Sequence, residues 1–255
     1  MIINDLIPFK EIKIRVYKAS NNMSACKRFA QGHSDVLNSY GIKKVTSSDT
    51  SWFKNPSVYL IMVESIDGNE IYGGAKLHIK NKKFKLPLES AIGELDPKVI
   101  DLIKQYDENK TGELCGLWNT RDMSGTGLSI LLTRVGLAEA GILTAHKLEL
   151  ETLYILCAPW TVQMVKNVGF EVETNIGNNG TFFYPKPDLL ATLLSINDIN
   201  TLKKAKNEER LGIFDLRKNP TQTKLEDSPK GKIEVEYNLD ITSEIHNMFS
   251  QENNM

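Results

Sequence analysis

The stretch from Gly112 to Leu143 constrains the fold more than any other part of the chain. A run of strand character, Gly112 to Asn119, meets Ser124-Gly125-Thr126-Gly127 and then Leu128 to Leu143, which is apolar around most of its circumference. A helix of that kind must be covered by other elements. A strand that enters it through two glycines puts unpaired backbone N–H groups at the positive helix end, a setting that suits phosphate or pyrophosphate. Glycine also serves such a turn for purely conformational reasons, so the turn alone leaves both readings open. Two alternatives fail on spacing: the glycines do not form the six-residue dinucleotide pattern, and no Gly-Lys-Ser/Thr follows them.

The flanking segments supply the layers that would cover the helix. Ile12, Ile14 and Val16 alternate with Lys13, Arg15 and Tyr17, the period of a half-buried strand. Ser24 to Tyr40 reads as a helix stopped by Gly41. Ser57 to Ser65 and Glu70 to Lys80 read as a hairpin through Ile66-Asp67-Gly68-Asn69. In its second strand Tyr72, Lys76 and His78 share one face and Ile71, Ala75, Leu77 and Ile79 the other, so only the latter face reads as core. Asn81 to Gly93 reads as a basic loop, and Asp96-Pro97 opens a short helix through about Gln105. Thr152 to Ala158 is an apolar strand and Trp160 to Asn167 a helix. Glu171 to Thr174 and Thr181 to Tyr184 are expected to pair as a second hairpin. The order predicts an α/β domain with a mixed sheet over residues 1–187. Residues 188–255 are expected to add an accessory segment: a helical stretch over Asp188 to Leu211, a polar linker over Asn219 to Lys232, one strand from Lys232 to Leu239, and a frayed end of about a dozen residues.

Length and charge narrow the function classes. The chain has 255 residues, enough for a sizeable core without disulfide or metal staples. Lys plus Arg is 31 against Asp plus Glu at 32, a net charge of −1; this argues against a broad nucleic-acid footprint. Cys26, Cys115 and Cys157 are an odd number without paired spacing, so neither a disulfide framework nor a zinc module is indicated, and a reducing compartment is the easier reading. His33, His78, His146 and His246 show no ligand spacing; no metal site is expected, and each reads as a surface or hydrogen-bonded histidine. Met1 to Lys10 lacks the pattern of a secretory signal. Leu128 to Leu143 is interrupted by Arg134 and Glu139 and falls short of the roughly 20 residues that cross a bilayer. A cytoplasmic protein with no membrane or nucleic-acid partner is expected.

The order of elements around the glycine turn resembles the GNAT superfamily of acyl-CoA N-acyltransferases, over about Ile12 to Lys186. The resemblance rests on the hairpin Tyr59 to Ile79, the strand Glu113 to Asn119, the loop Asp122-Met123-Ser124-Gly125-Thr126-Gly127 with its helix, the strand Leu153 to Ala158, and Asn167-Val168-Gly169-Phe170. The family loop is written Arg/Gln-x-x-Gly-x-Gly/Ala. Here both glycines fit, the leading position is Asp122, and Arg121 is displaced by one. The resemblance implies acetyl-CoA or another acyl-CoA as co-substrate, with no metal. It implies that the backbone amides of Met123, Ser124, Gly125, Thr126, Gly127 and Leu128 hold the CoA pyrophosphate, and that Leu117, Trp118 and Asn119 offer main-chain groups to the pantetheine arm. It further implies that the Gly112 and Leu153 strands part to make a slot for the thioester. Gly116 would be a bulge in that slot or a point of close packing. Leu86-Pro87-Leu88-Glu89 before Glu113-Leu114-Cys115 is similar to the autoinducer-synthase and N-acyl amino acid synthase branch, whose strand reads Glu-x-Ser-Arg. Glu113 is retained, while Cys115 and Gly116 stand in place of the serine and the arginine.

Acyl transfer to an amine needs a deprotonated nucleophile, a polarised thioester carbonyl and a proton for the leaving thiolate. Glu113 is the candidate general base, on the same strand face as Cys115. Val165 occupies the position where the family places a tyrosine acid, which leaves Tyr184 or Tyr154 for that role, or an unassisted thiolate. Cys115 and Cys157 lack a neighbouring His and read as inert core thiols. Trp52-Phe53 reads as a core plug or a pocket wall, and Lys80 to Lys83 as a solvated loop or an anion contact. The expected function is transfer of an acyl group, acetyl first, to a small-molecule or peptide amine. The alternatives are a non-catalytic acyl-CoA-binding module and an N-acyl amino acid synthase with a fatty acyl donor. Leu189, Leu190, Leu193 and Leu194 would pack on the parent domain or on a partner, so an oligomer is compatible with the sequence.

Overall fold

Alternation shapes the first strand, β1 (Lys10–Lys18): Ile12, Ile14 and Val16 are buried on one side while Lys13, Arg15 and Tyr17 line the other. The structure, a computed structural model, describes residues 8–42, 45–46 and 49–239. His246 and the expected frayed end lie outside the described residues.

The hairpin forms as expected from β2 (Val58–Glu64) and β3 (Ile71–Ile79), followed by β4 (Thr111–Asn119) and β5 (Thr152–Cys157). With β6 (Glu171–Val172), β7 (Thr181–Phe183), β8 (Leu190–Ile196), β9 (Thr221–Ser228) and β10 (Gly231–Asn238) they make one sheet in the order β6-β8-β5-β4-β3-β2-β1-β10-β9, with β7 joined to β8. The β4–β5 and β1–β10 pairs are parallel and the others antiparallel. The long apolar helix is α4 (Leu128–Leu143), seated on one face of the sheet against Ile12, Ile61, Leu77 and Leu114. A π-turn extends it; the span Leu128–His146 is long and apolar enough to cross a membrane, and 72% of it is buried within this fold. Helix α1 (Met23–Ser39), whose Asn22 side chain accepts the Ala25 N–H, covers the opposite face with Trp52.

Four expectations differ from the structure. Residues 81–93 are not all loop: Pro87 opens α2 (Pro87–Ile92), which packs with α3 (Lys98–Ile103) over Tyr154. The second hairpin is absent, because β6 and β7 both pair with β8, and the isolated Asn178–Thr181 bridge only closes the turn that leads into β7. The Leu-rich patch, expected as helix, is β8 itself; Ala191 to Ile196 is buried on both faces, and so short an apolar run has no periodicity to separate strand from helix. The expected linker contains β9, whose partner β10 lies parallel to β1. Residues 188–239, with α6 (Asn207–Lys218) against α4, therefore build part of the same sheet and its cover, where an accessory segment was expected. Helix α5 (Pro159–Asn167) falls where the sequence predicts it.

Candidate active site

The site starts where two parallel strands stop pairing. β4 and β5 are in register only at Thr111–Thr152, Gly112–Leu153 and Glu113–Tyr154. Beyond Glu113, β4 runs on to Asn119 with its edge toward β5 free of strand pairing among the described residues. Opposite, the β3 register shifts between Gly74 and Lys76, so Gly116 and Leu117 together face Ala75 as a bulge. Gly116 has φ +58°, and a Cβ there would come within 3.1 Å of Lys76 Cε, so both the conformation and the space call for glycine. Leu117 is half-buried, and Trp118 is buried edge-on against Phe29. Asn119 Oδ1 accepts from Ser129 Oγ at 3.4 Å, tying the strand end to the first turn of α4.

Between them lies the glycine loop, and its amides divide into two sets. The Met123, Ser124 and Thr126 N–H groups donate to Thr120, Arg121 and Met123 carbonyls at 3.1, 3.1 and 3.3 Å. These three are engaged in the loop's own turns, contrary to the expectation that they line a cradle; Met123 and Thr126 are also buried. The N–H groups of Gly125, Gly127 and Leu128, together with that of Ser129, which sequence reasoning missed, make no hydrogen bond among the described residues. Leu128 and Ser129 open the helix, where N–H groups have no intrahelical partner. Gly125 and Gly127 have φ +74° and +81°. Four bare donors at a positive helix end, two of them on glycines, fit a diphosphate. The β9–β10 turn covers the loop: a Cβ on Gly127 would meet Pro229 at 3.4 Å and one on Gly125 would meet Lys230 at 3.6 Å.

Glu113 and Cys115 share one face of β4, as expected, and both are buried. Leu88 N–H of α2 donates to Glu113 Oε2 at 2.8 Å. Burial outweighs that bond and the Lys76 charge and pushes the carboxyl up to about 8. Burial likewise raises all three thiols, Cys26 to about 11, Cys157 to about 12 and Cys115 further still, so none is a ready thiolate. Of the two tyrosines, Tyr154 is buried with its hydroxyl aimed at the Leu102 carbonyl, 3.5 Å away. The Tyr184 hydroxyl accepts from Thr46 N–H at 2.9 Å and lies 3.0 Å from Thr46 Oγ1, and Thr46 in turn lines a cavity.

That cavity, about 380 Å³, is floored by Lys76 and His78 of β3 and walled by Trp52 and the segment from Lys83 to Ser90. The sequence presents this face of β3 as the one that is not core. In the structure α1 and the turn at Ser51–Lys54 cover it, and Lys76 is 0% exposed with Nζ 4.4 Å from the centre of the Trp52 ring. Burial depresses the ammonium, against the pull of Cys115, Glu113 and Asp49. His78 can be assigned a tautomer. Ser57 N–H and Asn81 Nδ2 both donate to Asn55 Oδ1, at 2.9 and 3.2 Å, which fixes the Asn55 amide with Nδ2 toward His78 Nε2 at 2.9 Å. Nε2 therefore accepts and Nδ1 carries the proton. Nδ1 is buried and has no hydrogen-bond partner among the described residues. Burial, helped by Lys76, holds the ring down to about 3, so it is neutral at ordinary pH.

No protein-family model matches the chain, and no curated protein matches it. Solved structures do. FeeM, an N-acyl amino acid synthase from uncultured soil microbes, superposes with a TM-score of 0.55 at 15% identity, over 78% of this chain and 97% of that one. BjaI, a CoA-dependent acyl-homoserine lactone synthase determined with SAM and isopentyl-CoA, does so with a TM-score of 0.51 at 9% identity, over 89% and 94%. These superpositions show the fold: it is that of the GNAT acyl-CoA N-acyltransferases.

Proposed function

We propose that the chain is an N-acyltransferase that moves an acyl group, acetyl in the simplest case, from acyl-CoA directly to an amine in the cytoplasm. The observation that carries this reading is the juxtaposition of bare amides at the start of α4 with a strand edge that parts from β5 at Glu113. The amides of Gly125, Gly127, Leu128 and Ser129 would receive the pyrophosphate, and the open edge of β4 would receive the pantetheine arm.

The amine nitrogen attacks the thioester carbon, and the carbonyl electrons move to oxygen, where a main-chain N–H at the Leu117 bulge meets the growing charge. Collapse forms the C–N amide bond and breaks the C–S bond. Glu113 takes the proton the nitrogen loses, and Tyr184 is the group proposed to protonate the leaving sulfur. A carboxyl near 8 is poised for such an exchange close to neutral pH. The raised thiols argue for direct transfer over an acyl-enzyme, and three free, buried cysteines suit a reducing compartment. The likeness to FeeM, an N-acyl amino acid synthase, favours a second reading in which the acceptor is an amino acid.

Calorimetric titration with CoA, acetyl-CoA and a long-chain acyl-CoA, beside a Gly125→Asp/Gly127→Asp variant, tests the reading. Binding by the wild type and its loss in the folded variant are expected, and the rank of the three ligands decides the acyl length. A folded wild type that binds none of them overturns the proposal. Binding without thiol release in the presence of any amine leaves a silent binding module.

A further inference from the structure

The β9–β10 turn brings a cation to the glycine loop from a part of the chain about a hundred residues further on. We infer that Lys230, in that turn, is a donor-binding residue whose ammonium pairs with the diphosphate of acyl-CoA, so that the C-terminal hairpin forms one wall of the donor site. The inference rests on the acyltransferase reading and adds a binding residue, and a preference for donors that carry a diphosphate, to that same site.

Position is the first ground. A Cβ on Gly125 would lie 3.6 Å from Lys230 Cε. The ammonium, one bond further on, therefore reaches a ligand oxygen held by the bare N–H groups of Gly125 and Gly127. Amides at a helix start direct hydrogen bonds but carry only partial charge. A diphosphate brings full negative charge, and an ammonium beside those amides would meet it with charge-assisted hydrogen bonds.

The second ground is that the turn is fixed to the helix the loop opens. Pro229 Cδ lies 3.4 Å from the Cβ position of Gly127, and Glu226 of β9 accepts from Arg134 of α4 at 3.3 Å. The hairpin thus touches α4 at its start and again farther along. Pairing of β9 with β10 runs to Ser228–Gly231, and the Lys230 N–H donates to Ser228 Oγ at 3.1 Å, so the backbone that carries the lysine is held in place over the loop.

Charge is the third. The hairpin's Lys224 is paired with Asp215 at 2.7 Å and Lys232 with Asp227. Lys230 is exposed, and its ammonium has no ion pair or hydrogen bond among the described residues. Arg121 and Asp122, both exposed in the loop, offset one another in formal charge, so Lys230 adds a net positive charge beside the bare amides.

Calorimetric titration with CoA and with dephospho-CoA, which keeps the diphosphate and lacks the 3′-phosphate, tests the inference at low and high salt. Lys230→Gln should weaken CoA binding by about tenfold and Lys230→Glu by more, while Lys230→Arg, which keeps the charge, should bind as the wild type does. The loss should be the same with dephospho-CoA, and the wild-type affinity should fall more steeply with salt than that of Lys230→Gln. The position is exposed, so these variants should fold, checked by circular dichroism. Wild-type affinity for CoA in Lys230→Glu would overturn the inference and leave the acyl-CoA reading standing. A loss seen with CoA and not with dephospho-CoA would move the lysine to the 3′-phosphate, and an equal loss in Lys230→Arg would reduce it to a structural role; either would overturn the inference as well. A folded wild type that binds neither ligand would overturn both.

Discussion

Burial holds the Glu113 carboxyl near 8, against an ordinary value of 4.5, and two consequences follow at this residue. As the general base it must be ionised, so kcat/KM should climb with pH and level off above about 8; Glu113→Gln should lose most of the rate at every pH while keeping its affinity for CoA, measured by calorimetry. A flat pH profile in the wild type would remove Glu113 from the reaction. The second consequence is thermodynamic. Between 4.5 and 8 the folded protein keeps a proton that the unfolded chain releases, so stability falls as pH rises through that window, by up to about 1.4 kcal/mol per pH unit. Denaturant melts across that range should show the slope in the wild type and a flatter one in Glu113→Gln. Glu113 was legible in the sequence because a strand-start carboxylate beside a family pattern draws notice. Lys76 and His78 were not, since alternation places them on the polar face of β3 and only the cover supplied by α1 and Trp52, distant in sequence, turns that face inward.

Elements with their own periodicity, α1, α4, β1 and the β2–β3 hairpin, could be read from sequence nearly to the residue. Elements whose identity depends on neighbours could not: β8 is apolar on both faces, and β9 is polar on both and exists through β10. The bulge in β4 is testable at this scale. Gly116→Ala places a side chain at φ +58° and presses on Lys76, costing about 1–2 kcal/mol. The variant should fold, by circular dichroism, yet transfer acyl groups far more slowly; unchanged turnover would mean that the bulge does not shape the reaction. Helix α6 depends on Arg217, whose guanidinium is mostly buried and donates to the Leu137, Ile199 and Asn200 carbonyls at 2.8, 2.7 and 3.1 Å. Arg217→Ala leaves all three without that donor and should cost roughly 2–4 kcal/mol in a denaturant melt. A loss within the scatter of surface substitutions would show that α6 is held by its apolar face alone.

At the scale of the whole molecule, β9 and β10 complete the sheet at β1, bury Ile233, Val235 and Tyr237, and fold their turn over the glycine loop. Arg134 of α4 joins them through Glu226 at 3.3 Å, in a cluster with Glu209 of α6. A chain ending at Asn219 should therefore leave β1 with an open edge and lose solubility, read by sedimentation; a soluble monomer with intact CoA binding would show that the hairpin is dispensable. The placement of this pair could not be read from sequence, because nothing local to Lys232–Leu239 names Lys10–Arg15 as its neighbour. It also sets a schedule. Lys10 lies beside Ile233, and at the usual pace of translation, about 5–20 residues per second, the second partner leaves the ribosome roughly ten to forty seconds after the first. During that interval the nascent chain carries a strand awaiting its mate, and the charges of Lys10, Lys13 and Arg15 are what stand between that strand and a stranger's.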